Sequence, residues 1–126
     1  MKLTLRRPCQ NCPFRNDIRP YLNKERASEI VEGLESGSTF PCHKTIDYEK
    51  RADLEEQGAS RQEIYREIVK GTQQCAGALI MFQKHGRAFQ MAQIAERLGL
   101  HDPSRLEMDS PVYESPKDFI DAQDGR

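Results

Sequence analysis

The chain has 126 residues, of which 37% are hydrophobic and 31% charged, with no Trp and a formal net charge of −1. These values fit one domain with a thin core, and they exclude a polycation that holds polyanions by overall charge. No apolar run suits a signal peptide, and the longest, CAGALIMF, is too short to cross a bilayer, so a cytoplasmic location with no membrane partner is expected.

In chain order, residues 1–24 are basic, with Lys2, Arg6, Arg7, Arg15, Arg19 and Lys24 against Asp17 alone. NKERASEIVEGLESG predicts a helix, capped by Asn23, with Ala27, Ile30, Val31 and Leu34 on one face and Gly37 as its stop. STFPCHKT reads as an extended segment or turn. Asp47 to Ala59 is charged, with Leu54 its one large aliphatic, and reads as an exposed loop or a loosely attached helix. SRQEIYREIVKG opens with a capping box of Ser60 and Glu63, and Ile64, Ile68, Tyr65 and Val69 are expected to make an apolar core-facing side that ends at Gly71. CAGALIMFQKHG is apolar nearly all round, which suits a central buried helix ending at Gly86. RAFQMAQIAERLG predicts an amphipathic helix with Gly99 as its stop, and SPKDFIDA a short helix capped by Ser115. Residues 101–126 are acidic, so the two ends of the chain either attract each other or serve different partners. His85 and His101 are expected to be solvated.

The four cysteines carry the chemistry. Cytoplasmic thiols stay reduced, so metal ligands or catalytic groups are expected before disulfides. Cys9 and Cys12 form a C-x-x-C turn, which brings two sulfurs within reach of one metal. With Cys42 and Cys75 they make one four-ligand set, suited to tetrahedral zinc or to the corners of a [4Fe–4S] cube. The bland alternative is that Cys42 and Cys75 are ordinary buried cysteines. His43 adjoins Cys42, and neighbouring residues seldom share a metal. It is expected behind the ligands or on the surface, with a Cys₃His site as the alternative. Zinc is expected first for a small intracellular four-cysteine domain, while Pro13 after Cys12 gives weight to iron–sulfur. Arg6, Arg7, Arg15 and Lys44 either offset thiolate charge or bind phosphate. Their clustering at the cysteines favours the first.

The ordered set PCQNCPFR, FPCH and CAG resembles a family of small bacterial and phage proteins of unknown function. The matching residues are Pro8, Cys9, Cys12, Pro13, Phe14 and Arg15, then Phe40, Cys42 and His43, then Cys75, Ala76 and Gly77. The resemblance covers roughly the first two-thirds of the chain. It implies a shared metal-type site and a phage or prophage setting, and it implies no activity.

There is no phosphate loop, no G-x-S-x-G and no H-E-x-x-H, so a binding module is expected before an enzyme. QMAQIAERLGL resembles the first helix of a helix-turn-helix, but the following HDPSRLEMDSPVY makes a poor recognition helix, so a packing helix is expected. The expectation is thus a mainly α, small single domain with little β, stapled by one four-cysteine metal site. Residues 1–99 form the helical domain and residues 100–126 a partly ordered acidic extension. Its expected role is adaptor or modulator of a host or phage protein, with weak nucleic-acid binding. The alternative is an iron–sulfur redox or sensor protein.

Overall fold

Asn23 accepts a hydrogen bond from the Arg26 amide at 2.7 Å and opens α1, Lys24–Glu35. Ala27, Ile30, Val31 and Leu34 are its buried stripe, as a 3.6-residue period requires. The chain reverses at Gly37, where φ is +103° and a side chain would be strained. The computed structural model describes residues 2–123, and of His43 the backbone alone, so that imidazole and Asp124 of the acidic end lie outside the described residues.

Asp47 accepts from the Lys50 amide at 2.9 Å and starts α2, Tyr48–Glu56. Ser60 accepts from the Glu63 amide at 3.2 Å and starts α3, Arg61–Gly71. The two helices form a hairpin, and neither has a buried residue. The apolar side expected on α3 does not reach the core, because Ile64, Ile68 and Val69 are half-buried and Tyr65 is exposed on a helix whose neighbour is α2. The charged stretch from Asp47 is therefore a helix, attached loosely.

In α4, Ala76–Lys84, every residue from Ala76 to Phe82 is buried, which makes it the centre of the fold. The next helix, α5, spans Gln90–Arg97 and begins later than the RAFQ pattern suggests. Phe89 is the reason: it stays extended and sets its ring 5.3 Å from Phe82, edge to face, inside the core. After a 3₁₀ turn at Pro103–Arg105, Ser115 accepts from the Asp118 amide at 3.1 Å and opens α6, Pro116–Ala122, which packs on α1.

The chain is a mainly helical, small single domain. Among the described residues, β structure is confined to isolated bridges, Lys2 with Gln73, Arg15 with Val112 and Pro41 with Gln74. Residues 100–123 do not form a separate layer. Leu106, Val112 and Phe119 are buried in the same core as Phe14 and α4. Lys84 Nζ donates to the carbonyls of Ser110 at 3.2 Å and Val112 at 2.9 Å, tying that segment to α4. An acidic composition suggested an extension, but its few apolar residues are spaced to reach the core. His101 is likewise buried rather than solvated.

Candidate metal centre

The N-terminal turn is held by its own backbone. The Cys12 amide donates to the Cys9 carbonyl at 3.2 Å, and the Arg15 amide to the Cys12 carbonyl at 3.1 Å. Phe14 anchors it, fully buried, with its ring 4.6 Å from Phe119 and 5.5 Å, edge to face, from Phe40. A second pair of segments is set by the Pro41–Gln74 bridge. The Cys42 amide donates to Gln73 O at 2.8 Å and the Cys75 amide to Phe40 O at 2.9 Å. The buried Gln74 side chain completes this join, accepting from Phe40 N at 3.1 Å and donating to Phe40 O at 2.9 Å. So the backbone brings residues some thirty apart in sequence to neighbouring positions.

The four cysteines line one cavity of about 360 Å³, together with Tyr21, Phe40 and Lys44 among others. All are free thiols; Cys12, Cys42 and Cys75 are buried and Cys9 half-buried. The Cys12 and Cys75 sulfurs are 3.3 Å apart, and Cys9 lies against Cys42. Among the described residues, no three His, Cys, Asp or Glu side chains are already gathered into a metal-ligating group.

The two buried sulfurs differ in acidity. The Cys75 thiol beside it holds Cys12 below the usual thiol range, helped by the Phe14 amide, the Arg15 charge and the Gly77 amide. Cys75 is pushed well up by sharing its proton with Cys12 and by burial, although the Ala78 and Gly77 amides at the start of α4 act the other way. Cys9 is raised, first by burial and then by the neighbouring Cys12 and Cys42. The pair therefore favours a thiolate on Cys12 and a proton on Cys75. Tyr21 donates to the Asn11 carbonyl at 2.8 Å, and burial plus the nearby sulfurs push its hydroxyl up to about 12.

Gly77 is required by proximity. A Cβ there would stand 2.5 Å from Cys12 Sγ and 3.0 Å from Phe14 Cβ. The absent side chain lets the N-terminal turn sit directly on the first turn of α4.

The basic residues divide into two groups. Arg15 forks onto Asp17 at 2.7 and 2.6 Å and also donates to the Cys9 carbonyl at 3.4 Å, so its charge lies beside the sulfurs. Lys44 lines the cavity. Arg7 instead pairs with Glu107 at 3.2 Å, and the Arg6 carbonyl accepts from the Glu107 amide at 2.8 Å. The basic start of the chain thus meets its acidic end. Sequence reading did not single out Tyr21, Asn11 or Gln74. Their roles depend on which loop lies over the cavity, and no local pattern announces that.

Comparison of the chain with protein-family models, with curated proteins and with solved structures finds no match.

Proposed function

We propose that this protein is a metal-binding module in which Cys9, Cys12, Cys42 and Cys75 hold one zinc ion as a structural clamp. One observation carries the reading: cysteines from three separated segments open onto one cavity. The 3.3 Å separation of Cys12 and Cys75 supports zinc, because a tetrahedron with Zn–S of about 2.3 Å has S···S edges of about 3.8 Å. In an iron–sulfur cube each cysteine binds its own iron, so the thiolates stand farther apart. Four thiolates on Zn²⁺ leave a charge of about −2, and Arg15, Lys44 and the first amides of α4 are placed to offset it.

A clamp of this kind would join the N-terminal turn, the Phe40–Cys42 segment and α4. Binding energy at such a site is folding energy, which suits a chain with a thin core. The clamp leaves the outer helices free to serve as an adaptor or modulator of a host protein or nucleic acid. The free thiols favour a cytoplasmic setting, and the phage or prophage setting rests on the motif resemblance. A [4Fe–4S] cluster in a redox or sensor protein is the second reading. It is favoured by a cavity of about 360 Å³, larger than one ion needs.

The test is the metal content and visible absorption of full-length protein purified without oxygen. One zinc per chain and no visible absorption supports the clamp. Iron and sulfide with a broad visible band moves the assignment to the cluster. Four freely reactive thiols in a folded, metal-free protein would refute both.

A further inference from the structure

The α2–α3 hairpin leaves the body between Cys42 and Cys75, and the side chains of α3 face several directions. Ile64 and Ile68, with Arg61 and Tyr65 at the edge, line a groove shared with Arg51 and Glu55 of α2. Glu67 lies on a second side, paired with Lys50 at 3.7 Å and Lys70 at 2.9 Å. Arg61, Gln62, Tyr65, Arg66 and Val69 line a shallow groove of about 640 Å³ with no carboxylate in it. Tyr65 is 69% exposed. Tyr65 and Arg61 also border a second groove of about 410 Å³ facing α2, which includes Glu55, so the two form a ridge between the grooves.

The charges on this face are incomplete. Lys50, Arg51 and Lys70 each have a carboxylate partner. Among the described residues, Arg61 and Arg66 have none. Two unpaired guanidinium groups therefore flank an exposed aromatic ring on a helix with no buried residue.

We propose that this face of α3 docks an acidic, amphipathic segment of another protein, its apolar side chains against Tyr65 and Val69 and its carboxylates on Arg61 and Arg66. The guanidinium fork matches a carboxylate in two hydrogen bonds, and Tyr and Arg are the residue types that anchor protein interfaces. A second copy of this chain fits less well, because a two-fold contact through this face would bring the arginines of the two copies together. A nucleic acid also fits less well. Two free arginines neutralise few phosphates, so a nucleic acid, which needs a run of such contacts, would be held weakly, whereas a short segment needs only two carboxylates. The inference is independent of the metal.

The experiment uses the full-length chain and two labelled helical peptides with leucines at i, i+4 and i+7. In one the leucines are flanked by glutamates and in the other by lysines. The glutamate peptide is expected to bind at least about tenfold more tightly, and Tyr65→Ala to weaken it by about tenfold or more, as loss of an interface anchor does. Arg61→Glu with Arg66→Glu should reverse the preference between the peptides. Because all three positions are exposed, the variants should melt like the parent, which separates lost docking from lost fold. Equal binding of the two peptides, no binding of either, or indifference to the variants would overturn the proposal. So would self-association abolished by Tyr65→Ala, or tighter binding of duplex DNA that the charge reversal removes.

Discussion

α4 and α3 are of similar length, 9 and 11 residues, and they sit at opposite extremes of burial. Ala76 to Phe82 of α4 are all buried, whereas no residue of α3 is. α4 shares one buried core cluster with residues of the cysteine turn, α1, α5 and the C-terminal segment. α3 has α2 as its neighbour, and the hairpin is joined to the body at its base, where Cys42 N meets Gln73 O at 2.8 Å and Cys75 N meets Phe40 O at 2.9 Å. The contrast separates two tasks. The body fixes the geometry of the four sulfurs, and the hairpin is an excursion between two of them with no residue buried in the core.

The strongest way to break this contrast is at the sulfurs. If the proposed zinc clamp is present, Cys75→Ser, and equally Cys12→Ser, should lose the metal and much of the cooperative transition, since structural zinc contributes on the order of 10 kcal/mol in small domains. Metal content and thermal melting check this together, and unchanged values for either variant would remove that cysteine from the ligand set. Protons sharpen the same test. Cys75 and Cys9 sit above the usual thiol range, so protons would compete with the proposed metal there. Apparent affinity should fall as pH falls, and each metal bound should release protons into weakly buffered solution.

A smaller loss is expected from the ring behind the turn. Phe14→Ala removes a fully buried ring that touches Phe40 and Phe119, and should cost about 3–5 kcal/mol by denaturant unfolding. A loss under about 1 kcal/mol would show that the turn is not anchored in the core. Gly77→Ala adds a methyl 2.5 Å from Cys12 Sγ, so the turn must move off α4, at about 1–3 kcal/mol and with weakened metal binding. Stability and metal affinity should fall together in this variant, because one contact governs both.

The smallest effect belongs to the hairpin. Tyr65→Ala should change stability by no more than about 0.5 kcal/mol, as exposed positions do. Amides of α2 and α3 should exchange with solvent well before those of α4, since the hairpin opens without disturbing the body. Equal protection in both would mean that hairpin and body unfold as one unit, and the contrast between them would fail.

Much of this organisation was legible in local chemistry. Asn23, Ser60 and Ser115 cap the helices that their positions suggest, because a cap needs an oxygen and an amide three residues on and nothing distant. The buried α4 was legible for the same kind of reason: CAGALIMF has no polar face to give to water. α2 was harder to read, since Asp47 caps it but no apolar stripe marks its length. The convergence of Cys9, Cys12, Cys42 and Cys75 was an expectation from residue type, and the sequence alone gives no distance between segments so far apart.

What the sequence determined by itself, then, is the mainly helical class, the caps and the central helix, all set by contacts within a few residues. Tertiary structure decided the rest. It placed Arg7 on Glu107 and Arg15 beside the sulfurs, although both arginines look alike in the basic start of the chain. It drew Leu106, Val112 and Phe119 into the core from a segment whose composition reads as an acidic extension. It made Gly77 a contact with Cys12 and left Arg61 and Arg66 exposed without an ion pair among the described residues. Each of these depends on which surfaces meet after the chain has closed on itself, and that is decided by apolar burial and backbone pairing between residues far apart in sequence.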